Sequence, residues 1–586
     1  MKRQLFFYQR ILPLSLVAIL TLVSLIGCQQ KDPPTKDINF AFHTFTEELF
    51  LETISQNTLN LHYTIEDPVA LGITDHEVSL GDFSQDVRGA SSYFQNIRSK
   101  LLAFDYNSLS LENQLTYDIL VDYLDTQFSL VEYALFTEPL SFSGGLQMEL
   151  PILFAEYEFS CEQDIKNYLK LIALTDEYFE QILDFEEEKS KAGLFMSSDL
   201  CAKVMESCQS FLLEKEEHYL VTSFASRLEA LDLSKQKKAS YIRQNWAILE
   251  KQLFPAYENM IATLRTQMDC GKNDLGLSYF KNGKAYYESL VYAETGCADS
   301  VDAIFRRIEN QRMQDLLVCL RLQEKNESLL EKCSFLEWEM HSPEAMLKRL
   351  SSAILKDFPS PPDCSYEINY VEPALEDYLA PAFYIVSPVD NYLENVIYIN
   401  DGYISSDIYA FTTLAHEGYP GHLYQTVMTY TYKLPLIRSI LNYSGYVEGW
   451  ATYIEMMAYA YAGLEEDVSS FLSHNQAAIL SLYATSDIGL HYYGWTLEEM
   501  QAFWEGYGIT DASIIKEITQ LILSQPGNYL KYYVGFMEFL ELQSYAKDLF
   551  GEEYSDKAFH QAVLDIGPAP FSILKKYLPK YYSPQT

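Results

Sequence analysis

The sequence predicts a mainly α protein, a large helical body carrying a small antiparallel β-sheet just before residue 400. Apolar residues recur every three to four positions along most of the chain, β-rich segments cluster in one place, and no period of about 20–50 residues repeats, which excludes a solenoid. The helical pattern runs through 113–136, 163–191, 237–267, 300–327, 343–356, 408–432 and 446–461. Segments 365–371, 380–385 and 395–400, rich in Tyr, Ile and Val and separated by Pro, Asp and Asn, read as strands. With 586 residues, 48% hydrophobic and 21% charged, the chain is ordinary globular material rather than disordered or fibrous. A formal charge of −40 makes its surface repel phosphate backbones, so nucleic acid is not an expected partner. The 46 Tyr suggest partly wet clefts or interfaces, since a phenol buries area while keeping a polar tip.

The N-terminus speaks to compartment. Lys2, Arg3 and Arg10 precede an apolar run from Ile11 to Ile26 that contains Pro13. That run is shorter than the roughly 20 residues a bilayer-spanning helix needs and fits a secretory signal. It ends in Leu25-Ile26-Gly27-Cys28, which resembles a lipoprotein lipobox and implies cleavage before a lipid-bearing Cys28. Acyl chains on Cys28 would hold the body to a membrane surface outside the cytoplasm. The expected organisation is a signal peptide over 1–27, the lipidated cysteine and a Pro-containing tether over 28–37, and a single body over 38–586. A break at Asp269-Cys270-Gly271-Lys272-Asn273-Asp274 is left open. Eight further cysteines show no C-x-x-C spacing and are expected as buried thiols.

Chemistry concentrates after residue 415. His416-Glu417-Gly418-Tyr419-Pro420-Gly421-His422 pairs a histidine with an acid and places a second histidine six residues on. In H-E-x-x-H the two histidines share a helix face and the glutamate is base to a metal-bound water. Here Pro420 occupies the fifth position, and on a continuous helix His422 would lie roughly 120° from His416. Pro420 must bend or end that helix, and Gly421 allows a turn returning His422 toward the same ion. Glu448, in Val447-Glu448-Gly449-Trp450, is the candidate third ligand, and Glu455, seven residues on, a candidate carboxylate orienting a ligand histidine. Asp487 and His491 stand four apart, so Asp487 is expected to orient His491 as a donor to a developing oxyanion. Tyr532, after Pro526-Gly527, is a second donor candidate. The remaining histidines, 43, 62, 76, 218, 341, 474 and 560, read as structural.

Taken in order, His416–His422, Glu448-Gly449-Trp450-Ala451, Asp487-x-Gly489-x-His491 and Pro526-Gly527…Tyr532…Gly535 resemble the bacterial family catalogued as domain of unknown function 885, placed among the zincin-like peptidases. Echoes at Asp67-Pro68…Leu71-Gly72, Asn282–Tyr287 and Phe559-His560…Leu564…Gly567 extend the resemblance over nearly the whole mature chain. Relatives often carry another histidine where this chain has Leu423. The resemblance implies a zincin-like, zinc-dependent hydrolase acting on peptide bonds. One Zn²⁺ would be held by His416, His422 and Glu448, with Glu417 as base. An extended peptide is expected to add to the edge of segment 395–400. The competing readings are a non-catalytic surface-binding lipoprotein and a metal-dependent esterase or amidase.

Overall fold

The computed structural model describes residues 37–584, apart from 75–76, 84–86, 214, 337, 339, 341, 372–375, 377–379, 403 and 405–407. The signal segment, Cys28, its tether to residue 36, His76 and His341 therefore lie outside the described residues. The described residues are 71% helical with a three-stranded sheet, the mainly α class the periodicity predicts. Among the described residues no helix is long and apolar enough to cross a membrane. Two compact units result. Among the described residues, one holds 37–272 and 434–441 and the other 273–433 and 442–584, so the chain changes unit between Lys272 and Asn273.

The first unit is helical, built on α1 (Glu162–Ala173), α2 (Thr175–Ala192), α3 (Ser198–Phe211) and α4 (Phe254–Gln267). Their buried faces interlock through aromatic rings: Phe211 stacks on Tyr257 at 3.9 Å, and Tyr168 on Phe224 at 5.2 Å. The abundant tyrosines are here core residues, not cleft walls. Tyr257 is fully buried and its hydroxyl donates to the Gln147 carbonyl. In the second unit Tyr424 does the same toward Pro359 at 2.6 Å. A phenol adds area to a core at little cost when its O–H finds a main-chain acceptor. The eight described cysteines are free thiols, but only Cys201, Cys208, Cys297 and Cys319 are buried as expected; Cys270, Cys333 and Cys364 are half-buried and Cys161 is exposed.

The second unit carries α5 (Gly283–Thr295), α6 (Val301–Lys325), the sheet, then α7 (Ile408–Glu417), α8 (His422–Thr431), α9 (Ser444–Tyr461), α10 (Glu466–Ile488) and α11 (Asn528–Phe550). Strands β1 (Ser365–Tyr370), β2 (Ala382–Ile385) and β3 (Glu394–Ile399) are arranged β1-β3-β2. The sheet is mixed, which corrects the expected antiparallel one: β3 runs antiparallel to β2 but parallel to β1. The reason lies in composition. Val396-Ile397-Tyr398-Ile399 has the strongest β character and takes the centre, while Glu367 and Asn369 suit β1 to a solvated edge. Both edges of β3 are consequently paired, so the peptide addition expected at 395–400 has no edge to use.

Helices α9 and α11 touch through glycine. A Cβ on Gly449 would lie 2.5 Å from the Gly535 Cα, and one on Gly535 would lie 2.3 Å from the Gly445 carbonyl oxygen. Only backbone fits there, and Gly449 follows Glu448 directly. Gly535→Ala is therefore expected to cost about 1–3 kcal/mol by overpacking, read as a lower denaturant midpoint at unchanged slope.

Candidate metal centre

Helix α7 ends at Glu417 because Pro420 cannot donate to the residue 416 carbonyl and would clash with it. The break is tight. A Cβ on Gly421 would sit 1.8 Å from the His416 carbonyl oxygen and 2.4 Å from that of Ala415. Gly421 caps α8, and its carbonyl accepts from the Gln425 N–H at 2.8 Å. From α9, the Trp450 indole N–H donates to the Pro420 carbonyl at 2.8 Å and clasps the turn. The segment 408–432 is thus two helices, not one, and the break brings the imidazoles of His416 and His422 edge-to-face, 4.8 Å between centroids.

Glu448 enters from α9, 1% exposed, with its Oε2 3.6 Å from His416 Nε2 and 3.5 Å from His422 Nε2. Glu455 Oε2 lies 3.4 Å from His416 Nδ1. One imidazole is thereby gripped between two carboxylates. Glu417 belongs to the same cluster, since ligand atoms of His416, Glu417 and His422 lie within 4.8 Å of one another. Its Oε2 accepts from the Tyr384 N–H at 3.0 Å. That N–H points away from β3, so β2 is the strand whose outer edge faces the cluster. Tyr532 on α11 places its ring 6.4 Å from that of His416.

The charges are strongly perturbed. Burial opposes a charge on His416, but the Glu448 and Glu455 carboxylates prevail and push it up to about 10. Burial pushes Glu417 up to about 8, partly offset by His416. His422 is lowered by burial. Burial works against Glu448 too, yet the two imidazoles hold it below the ordinary carboxylate range. Burial raises the Tyr532 phenol well above its usual value, so its O–H keeps the proton.

The donor set suits a divalent cation. Ligand atoms at zinc's ~2.0–2.2 Å bond lengths and tetrahedral angles stand about 3.4 Å apart, close to the two imidazole–carboxylate separations. The Glu448 Oε1 is also sealed from solvent without a hydrogen-bond partner among the described residues. Two carboxylates lie within reach of both imidazoles. Glu448 bridges them through one oxygen, whereas Glu417 is tied to Tyr384. If Glu455 orients His416 for a cation, Glu455→Gln should weaken its affinity by about 10–100-fold, measured by competition with a chromogenic chelator.

Asp487 and His491 are not brought into this cluster, and the pairing expected from their spacing is not formed. Asp487 accepts from the Tyr287 hydroxyl at 2.5 Å and from the Gly527 N–H at 3.0 Å, tying the start of α11 to α5 and α10. His491 Nδ1 accepts from the Leu277 N–H at 3.2 Å, and Nε2 donates to the Ile522 carbonyl at 3.1 Å. Both nitrogens serve the main chain, leaving no N–H for an oxyanion, and burial lowers its imidazole to about 4. Outside the cluster, His474 meets Asp315 at 2.7 Å and His560 meets the Asp357 carbonyl at 2.7 Å. The sequence reading passed over Lys531, 6% exposed on α11 beside Tyr532. A lone lysine inside Tyr529-Leu530-Lys531-Tyr532-Tyr533-Val534 is the signal that could have found it.

Comparison with solved structures places the fold. A protein from Colwellia psychrerythraea, described as a candidate lipoprotein, superposes with a TM-score of 0.81 at 17% identity, over 93% of this chain and 99% of that one. One from Shewanella oneidensis, described as a candidate lipoprotein of unknown function, gives 0.60 at 15% identity, over 92% and 99%. No curated protein matches the chain. The model of the family described as "Bacterial protein of unknown function (DUF885)" matches residues 66–578, and the chain belongs to that family.

Proposed function

We propose that this chain is a metal-dependent hydrolase that cleaves peptide bonds outside the cytoplasm, with zinc as the cation and a zincin-like use of its residues. The observation that carries the reading is the convergence of His416, His422 and Glu448 with Glu417 beside them. A divalent cation held by those first three residues would supply Lewis acidity, drawing the pKa of a water toward about 7 and polarising a carbonyl.

The chain's own residues do the rest. Glu455 accepts the His416 Nδ1 proton and fixes the ring with Nε2 toward Glu448. Glu417, steadied by the Tyr384 N–H, takes the proton of the attacking water and passes it to the leaving amine. The protonated Tyr532 phenol donates to the oxygen on which charge develops. Esters and other amides would engage the same machinery. A mere binding module would not require a carboxylate held beside the first histidine by a strand N–H. The leader ending in Gly27-Cys28 supports export and a lipid anchor, as does the description of both structural neighbours as candidate lipoproteins.

The test is bound zinc in the purified protein, followed by a peptide and ester screen before and after chelation. Zinc-dependent peptide cleavage supports the reading. A protein that binds no divalent cation, or one loaded with zinc that cleaves neither class, overturns it.

A further inference from the structure

Resting on that reading of the centre, we propose that Lys531 and Asn528 form a receptor for a substrate carboxylate beside it, so that substrates are cut close to a free carboxylate. Lys531 is 6% exposed and has no hydrogen bond or ion pair with any described residue. Its ammonium stands 5.3 Å from the centre of the Tyr532 ring. An ammonium on a side chain so little exposed, with no acceptor among the described residues, favours an anion at its head. Asn528, 8% exposed, has an amide Nδ2 that is sealed from solvent with no hydrogen-bond partner among the described residues.

The two are three residues apart in the first turn of α11, and such residues are neighbours on a helix surface. With Tyr532 they share about 100° of one face, and Tyr532 looks toward His416. The ammonium offers three donors and the amide two, while a carboxylate offers about four lone-pair sites. The five donors are enough to fill those sites. The charge of Lys531 is also felt at the centre, where it favours the ionised form of Glu448 and the neutral form of His422. The first turn of a helix adds its positive dipole end to the same place.

Distance sets where the cut falls. The ring-to-ring and ammonium-to-ring separations place Lys531 within about 12 Å of the His416 imidazole. Extended chain covers ~3.3–3.6 Å per residue, so about three residues fill that span. The substrate class is a peptide or acylated amino acid with a free carboxylate, cleaved one to three residues from it. Either a C-terminal carboxylate or an acidic side chain near the bond could supply the anion.

The experiment uses the full mature chain treated with chelator, so that binding is read without turnover. Ligand-observed NMR compares acetyl-Ala-Ala, its C-terminal amide and acetyl-Asp-amide. The free acid should bind at least about tenfold tighter than the amide, as expected for one charge-assisted contact. Lys531→Met should erase the difference and Lys531→Arg should restore part of it. Equal binding of acid and amide by the wild type overturns the proposal without any variant needing to fold. So does acid preference that survives in a folded Lys531→Met protein. Tight binding of acetyl-Asp-amide supports the receptor and assigns the carboxylate to a side chain. Because the cation is absent, failure of the hydrolase reading leaves these outcomes unchanged. Conversely, cleavage of amidated peptides with no acid preference would leave the hydrolase standing and remove the receptor.

Discussion

Glu417→Gln is expected to lower kcat on any cleaved peptide by roughly 10²–10⁴-fold while bound cation and KM stay near the wild-type values. The amide keeps an oxygen for the Tyr384 N–H, so the local fold loses little. What it loses is the ability to accept a proton from the attacking water and return it to the amine. Elemental analysis separates this outcome from loss of the ion, and kcat measured on a peptide from the screen reads the base. Cleavage undiminished in Glu417→Gln would show that another group takes the proton.

The second large effect is expected from Gly421→Ala. Its new methyl would fall within 1.8 Å of the His416 carbonyl oxygen and 2.4 Å of that of Ala415. Both oxygens belong to the last turn of α7, which cannot retreat without carrying the His416 imidazole along. Strain of this kind costs about 3 kcal/mol at the upper end of overpacking. Relief by separating the two imidazoles should reduce cation affinity by at least about 100-fold, since displacing an orienting group alone costs about 10–100-fold. Chelator competition and a denaturant titration read the two losses separately. Unchanged affinity in Gly421→Ala would mean that His422 does not share the ion with His416.

These residues show why part of the site was legible in the sequence. His416, Glu417 and His422 lie within seven residues, and the break at Pro420 follows from proline chemistry alone. Glu448 and Glu455 share a helix face at seven-residue spacing, and α9 presents both to His416. The mainly α class followed from apolar periodicity of the same local kind. Where tertiary partners decide, spacing failed. Asp487 and His491 satisfy the four-residue rule, yet Tyr287, Gly527, Leu277 and Ile522 claim them through contacts distant in sequence. Strand order was equally hidden, because three β-rich segments in a row do not say which takes the centre. The Tyr384 N–H was invisible for a related reason, since its direction depends on the register of β2 against β3. Lys531 acquires meaning only once burial is known.

The clasp between the Trp450 indole and the Pro420 carbonyl carries a consequence for how an ion would arrive. It joins the hinge between the two imidazoles to the helix that bears Glu448, so these arms move as one piece. Ordering them belongs to the folding of the chain rather than to capture of the ion. Occupancy should then leave the scaffold's shape nearly untouched, as in a socket finished before its plug.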